Sequence, residues 1–330
     1  MRIAVLGAGA WGTALGLTLS QRHPVMLWTR DAAHYDEMAA ARENRRYLPG
    51  FAFPDGLHLT RDSASALAQA ELAIIGAPVV GLRASLRLVG ESGASVPVVW
   101  LCKGFEAGDA RLPHEIAQEE LPAACRRAAL SGPSFAQEVA AGVPAAVTLA
   151  SPDLAFASTL ARSLHGGRLR IYASDDLVGV EVGGAVKNVI AIAAGISDGL
   201  HFGESARAAL VTRGLAEITR LGVRLGGRLE TFMGLSGVGD LILTCTGSLS
   251  RNRRVGLELA AGKPLERILN ELGHVAEGVH SAREVRRLAQ RAQVDMPITD
   301  AVCKVLFEGL PAAQAVELLL AREPAREHRT

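Results

Sequence analysis

The hexapeptide Gly7-Ala8-Gly9-Ala10-Trp11-Gly12 constrains this chain more than any other stretch, because of what stands on either side of it. The apolar run 3–6 leads directly into it, and the helical run 13–21 leads directly out. A G-x-G-x-x-G between a strand and a helix is a phosphate-binding turn. The first glycine makes the tight turn, the second lets a pyrophosphate approach the backbone, and the third lets helix and strand pack closely. The helix amino terminus then presents unpaired N–H groups to the phosphates. The same six letters without those flanks would be weak evidence, so the strand and the helix carry the inference.

Short β-branched runs then alternate with helical stretches as far as residue 172, the pattern of βαβ units around a parallel sheet. The candidate strands are 3–6, 25–28, 72–75, 98–101, 128–130, 146–149 and 169–172. Beyond Asp176 the β signals fade, and apolar residues recur at helical spacing over 206–225, 254–261, 279–292 and 312–321. With 330 residues the chain exceeds the roughly 250–300 at which one core stops growing. The expected architecture is a Rossmann-type α/β parallel-sheet domain that binds a dinucleotide, residues 1–180, followed by an all-α substrate and catalytic domain, residues 181–330. The charged tail 322–330 is expected to be a frayed end.

Thirty-five Lys and Arg against 34 Asp and Glu leave no overall field to attract nucleic acid or an anionic membrane. Any anion must be held by a local site. The four cysteines, Cys102, Cys125, Cys245 and Cys303, have no metal-type spacing and read as reduced thiols, and no metal is expected. No export signal follows Met1, so the expected location is cytoplasmic. The densest apolar helix, 186–196, is interrupted by Lys187 and Asn188 and is shorter than the about 20 residues a membrane span needs.

At the end of the second strand, where the adenosine ribose lies, stands Trp28-Thr29-Arg30-Asp31. Arg30 suits the 2′-phosphate of NADPH and Asp31 the 2′-hydroxyl of NADH, so both cofactors are open, with NADPH favoured. Two further places lie just past strand ends, where ligands of open α/β sheets bind. Cys102-Lys103-Gly104 offers a cation, and Ser131-Gly132-Pro133-Ser134-Phe135 opens a helix that could cradle an oxyanion. A surface lysine and a plain helix cap are the alternatives.

Glu181 to Ile192 carries apolar side chains all around the helix axis, which marks a helix buried on every side. Lys187 and Asn188 must then be buried too. The pKa of a buried lysine falls readily, which suits it to proton transfer near neutral pH, unless its head snorkels to solvent. Ser250, Arg251 and Asn252 combine a hydroxyl, a guanidinium fork and an amide suited to a phosphate dianion. The alternative is an exposed basic turn. Asp240 either orients the lysine or neutralises the arginines of 251–254. Gly234, Gly237 and Gly239 are not a second dinucleotide turn, because no strand precedes them.

Taken together, GAGAWGTAL from Gly7, LCKGFE from Leu101, SGPSFAQEVAAG from Ser131, EVGGAVKNVIAIAAGISDGL from Glu181, GLSGVGDLILTCTGSLSRNRR from Gly234 and HVAEGVHSAREV from His274 resemble the bacterial NAD(P)-dependent glycerol-3-phosphate dehydrogenases. The resemblance implies reversible reduction of dihydroxyacetone phosphate to glycerol 3-phosphate for phospholipid synthesis, with Lys187 as general acid and base. It implies a substrate pocket of Lys103, Gly132, Ser134, Lys187, Asp240, Ser250, Arg251 and Asn252. It implies nucleotide contacts from Gly7, Gly9, Ala10, Trp11, Gly12, Arg30, Lys103, Ala136, Arg251, Val275 and Glu277. A homodimer is expected on the same ground. Ala10 departs from the family's common serine, Ser205 from its asparagine, and Arg30 from the histidine of some relatives. The rival readings are a β-hydroxyacid dehydrogenase, which would not need the dianion site at 250–254, and a non-catalytic NADPH sensor of the same fold.

Overall fold

A computed structural model describes residues 1–93, 96–272 and 276–322 of the chain. One eight-stranded sheet has the order β3-β2-β1-β4-β5-β6-β7-β8. Its strands are β1 (Ile3–Leu6), β2 (Val25–Trp28), β3 (Leu57–Thr60), β4 (Leu72–Ile75), β5 (Val98–Trp100), β6 (Arg127–Ser131), β7 (Ala145–Ala150) and β8 (Leu169–Ser174). Sequence reading passed over β3. Its Leu57-His58-Leu59-Thr60 alternates for only four residues, it lies at the sheet edge, and Leu57 alone of the four is buried.

The first six strands run parallel, but β7 is antiparallel to β6, with β8 parallel to β7. The sheet is the expected Rossmann-type parallel one except at that single pair. The only helix in that connection, residues Ala136–Ala140, packs against the helix after the glycine turn and does not cross a sheet face, so the chain re-enters from the end it left.

Helices α1 (Ala10–Ser20), α2 (Ala32–Ala41), α3 (Ser63–Leu67), α4 (Val79–Glu91), α5 (Pro113–Glu120), α6 (Ala136–Ala140) and α7 (Leu154–Leu164) accompany the sheet. One apolar cluster joins Val5, Leu27 and Ile74 to Leu15 and Leu160, and another joins Leu6, Ile75 and Trp100 to Leu86 and Ile116. Burial on both faces is why β1 and β4 are unbroken apolar runs. The strand order reverses between β1 and β4, which creates the crevice outside their carboxyl ends. Gly7 sits there at φ +120°, and a Cβ on it would lie 2.7 Å from the Ala77 nitrogen. A Cβ on Gly12 would lie 2.1 Å from the Gly7 carbonyl oxygen. Only glycine lets the turn close this tightly.

The helical region comprises α8 (Leu177–Gly199), α9 (Gly203–Arg224), α10 (Leu229–Phe232), α11 (Asp240–Thr246), α12 (Arg251–Ala260), α13 (Leu265–Leu272), α14 (Glu277–Ala292), α15 (Pro297–Phe307) and α16 (Ala312–Leu320). Asp176 caps α8 by accepting the Gly179 amide at 2.9 Å, and accepts the Arg228 amide at 2.8 Å. The helix is longer than the sequence reading allowed. At 23 residues α8 is long and apolar enough to cross a membrane by length and composition, but 89% of its apolar window is buried inside the protein, at the centre of the bundle. Its backbone touches that of α12, where a Cβ on Gly195 would lie 2.0 Å from the Arg253 oxygen and one on Gly256 would lie 2.1 Å from the Ile192 oxygen. Near its start, Glu181 accepts from the Trp100 indole at 2.9 Å and the His114 amide at 3.0 Å, which ties α8 to β5 and α5.

Candidate active site

Lys187 is buried on α8, and its ammonium donates to Asp240 Oδ1 and, at 2.8 Å, to Thr244 Oγ1. Asp240 is the first residue of α11 and Thr244 lies one turn on, so both face α8 from the same side. The Thr244 hydroxyl donates to the Asp240 carbonyl at 2.6 Å, which aims its lone pairs at the lysine. The other Asp240 oxygen, Oδ2, accepts Lys103 Nζ at 2.7 Å, and Lys103 also donates to the Gly132 carbonyl at 3.3 Å. One carboxylate thus bridges two ammoniums, a partly buried one from the loop after β5 and a buried one from the central helix. Of the two sequence readings of Asp240, its partners are lysines and not the arginines of 251–254.

Burial pushes the Lys187 ammonium down to about 8, against the opposing pull of Asp240 and with the Lys103 charge lowering it further. An ammonium with that pKa both gives and takes a proton near neutral pH. Glu277, at the start of α14, has its pKa raised by burial, while the charges of Arg251, Lys103 and Lys187 oppose the rise. Those opposing charges place Glu277 beside the same cationic group.

Around this centre the remaining residues from the sequence divide into two groups. Ser134 donates to the Gly132 carbonyl at 3.0 Å, beside the Lys103 contact, and Ala136 opens α6 against α1. Arg251 is exposed at the start of α12, where no hydrogen bond or ion pair ties it among the described residues. Ser250 and Asn252, by contrast, have their polar atoms engaged. Ser250 Oγ caps α12 by accepting the Arg253 amide at 3.2 Å. Asn252 donates to Asn188 Oδ1 at 3.0 Å and accepts the Gly278 amide at 3.0 Å, so it joins α8, α12 and α14. Arg253 is held by Asp198 at 2.8 Å through Nε. Val275, a nucleotide contact in the sequence reading, and the tail beyond Arg322 lie outside the described residues.

Sequence reading gave Thr244 no role, although its spacing of four from Asp240 is the signal that could have found it. It also missed Asn44, which is fully buried and donates to the Ala8 carbonyl of the glycine turn at 2.9 Å and to Thr13 Oγ1 at 2.8 Å. Nothing in the local spacing marks Asn44, which stands 36 residues from Ala8 in the chain.

The residues of the turn fit a dinucleotide. A Cβ on Gly9 would meet only the Gly76 oxygen, at 3.7 Å, so the ligand side of the turn is open, while Gly7 and Gly12 are pinned against backbone. A glycine turn at a switch point of the sheet, with a buried lysine of lowered pKa bonded to the loop after β5 through Asp240, fits the class of pyridine-nucleotide oxidoreductases. The comparisons with known proteins narrow this class. Residues 2–157 match the NAD-dependent glycerol-3-phosphate dehydrogenase N-terminus and residues 176–317 match its C-terminus. The chain belongs to the NAD-dependent glycerol-3-phosphate dehydrogenase family.

Glycerol-3-phosphate dehydrogenase [NAD(P)+] of Nitrosospira multiformis is 60% identical over 331 residues, covering 99% of each chain. Its counterpart from Thiobacillus denitrificans is 61% identical over 323 residues, covering 98% of each. Among solved structures, the glycerol-3-phosphate dehydrogenase of Coxiella burnetii superposes with a TM-score of 0.93 at 44% identity, covering 97% of this chain and 99% of that one.

Proposed function

We propose that this protein reduces dihydroxyacetone phosphate to sn-glycerol 3-phosphate, reversibly, and so supplies the glycerol backbone of phospholipids. The observation that carries the reading is the cationic group built on the Lys187–Asp240–Lys103 bridge, with Arg251 close enough to share its field. Three cations, Lys103, Lys187 and Arg251, against two carboxyls, Asp240 and Glu277, leave a net positive charge in the site, which favours an anionic substrate over a neutral one. Arg251, without a partner among the described residues, adds the fork a phosphate takes, and Ser250 and Asn252 hold the start of α12 that carries it. Ser250 only accepts in its cap and Asn252 gives one of its two amide N–H groups to Asn188, so both keep a donor for the phosphate. Lys187 donates its proton to the carbonyl oxygen of the ketone in reduction and removes it from the C2 hydroxyl in oxidation. The bound dinucleotide supplies or accepts the hydride at C2. Gly7, Gly9, Ala10, Trp11 and Gly12 hold its pyrophosphate, with Arg30, Ala136 and Glu277 toward its two ends.

The test compares oxidation of NADPH and NADH with dihydroxyacetone phosphate, dihydroxyacetone and a small β-keto acid. Turnover is expected with the phosphorylated ketone alone. Turnover with the keto acid would transfer the chain to the hydroxyacid dehydrogenases, and no turnover with any of the three would favour the sensor.

Asp176, where the cap of α8 begins, is our division between the two units, since a boundary at residue 180 would cut a continuous helix. A homodimer is our reading of the partner. Phe202, Val223, Leu229 and Met233 are each about half exposed and border a cavity of about 2240 Å³ between α9, α15, α16 and the end of α8. That cavity lies away from Lys187, and an apolar patch of this kind marks an interface. Light scattering should give twice the chain mass, and Val223→Glu with Met233→Glu should give the monomer. A monomeric natural protein would overturn the reading. Four free thiols support a reducing, cytoplasmic location.

A further inference from the structure

In a dinucleotide fold the residue just past the end of β2 meets the adenosine ribose, and an acid there selects the 2′-hydroxyl. That place is taken here by Thr29, which is buried. The first acid, Asp31, stands two residues later and is engaged on both oxygens. Its Oδ1 accepts the His34 amide at 3.1 Å as the cap of α2, and its Oδ2 accepts Arg46 Nη1 at 3.0 Å. The His34 amide and then Arg46 hold this carboxyl below its ordinary value. Arg46 Nη2 donates to Glu37 Oε1 at 2.8 Å.

The position of Arg46 is fixed from the other side by Asn44. That amide donates to the Ala8 carbonyl inside the glycine turn, and its oxygen accepts the Tyr47 amide at 3.2 Å. Residues 44–47 are therefore fastened at one end to the pyrophosphate turn and at the other to the end of β2. The adenosine ribose of a bound dinucleotide lies between those two points. The Arg46 side chain is 34% exposed, and a guanidinium has five donors, so the fork retains donors beyond those given to Asp31, Glu37 and the Tyr47 side chain.

We propose that Arg46 is a specificity-determining residue for the nucleotide: with Arg30 it receives the 2′-phosphate of NADP(H), and by occupying Asp31 it removes the acid that would select NAD(H). The proposal rests on the dinucleotide reading of the glycine turn. The chemistry recognised is an adenosine 2′-phosphate, so it can be tested without turnover.

Calorimetry on the full-length protein with adenosine 2′,5′-bisphosphate and with adenosine 5′-monophosphate measures the preference directly. The natural protein should bind the bisphosphate more tightly. Arg46→Met should weaken bisphosphate binding by about 10- to 100-fold, the range for a charge-assisted hydrogen bond, and the monophosphate much less. The ratio of kcat/KM for NADPH over NADH should fall in step. Arg46→Gln, which can still hydrogen-bond Asp31, serves if methionine disturbs the segment, and the same loss of discrimination is expected. Equal weakening of both compounds, or unchanged discrimination, would overturn the assignment of Arg46 alone. Failure of the natural protein to bind either compound would overturn the dinucleotide site and the proposal with it.

Discussion

Lys187→Met lowers turnover of dihydroxyacetone phosphate by about 10²- to 10⁴-fold, the usual contribution of a positioned general acid, while NADPH still binds. Methionine fills a similar volume, so α8 keeps its packing, and Asp240 retains Lys103 as a partner. No proton donor then reaches the ketone oxygen, whereas the glycine turn is untouched. Steady-state rates and a separate NADPH titration by fluorescence check the two halves. Retained turnover would remove the lysine from the mechanism, and loss of NADPH binding would show a structural role instead. The natural enzyme carries a matching pH signature. Reduction needs the protonated lysine, so its rate falls as pH rises through about 8, and oxidation needs the neutral amine, so its rate climbs through the same pH.

Asp240→Asn is expected to damage both activity and stability. Asp240 raises the Lys187 pKa against burial, so its removal moves the alkaline fall in the reduction rate to lower pH. It also leaves the buried ammonium of Lys187 and the partly buried one of Lys103 facing a neutral amide. Breaking a buried pair by removing one partner costs about 3–5 kcal/mol. A lysine whose folded pKa lies below its unfolded value binds fewer protons when folded, so stability rises with pH between the two values. The loss from Lys187 should be largest at pH below the variant's own lowered pKa and fade as pH rises through about 8, above which the lysine is neutral in both folded proteins. Thermal unfolding at pH 6, 8 and 9.5 reads this trend. A pH-independent loss would mean the aspartate acts through packing alone, and an unmoved rate profile would separate it from the lysine.

Much of this protein was legible in one dimension because some residue types admit few environments. Gly7 and Gly12 had to be glycine wherever a strand and a helix meet so closely, and the text shows both flanks. The all-round apolar surface of 181–192 required burial of Lys187 whatever surrounded it, since no face of that helix was left for water. The family motifs located most of the candidate residues for the same reason, as each sits at a strand end or a helix start that local sequence marks.

Tertiary structure alone decided what those residues touch. That Asp240 bridges Lys187 and Lys103 depends on bringing together residues 53 and 137 positions apart, and no periodicity records such a meeting. Asp31, the residue the sequence offers to NADH, caps α2 and pairs with Arg46, contacts that no local pattern records. The bonds of Asn252 to Asn188 and Gly278 depend on the closeness of α8, α12 and α14, which no local spacing records. The edge strand β3 and the reversal at β7 were invisible because four residues carry too little pattern, and strand direction is set by where the connecting helix packs. Sequence determined which groups must be buried or must bend, through sterics and desolvation that act on each residue locally. Partners, and hence charge states, were decided by the fold, because hydrogen bonds and Coulomb forces depend on distances that only packing fixes.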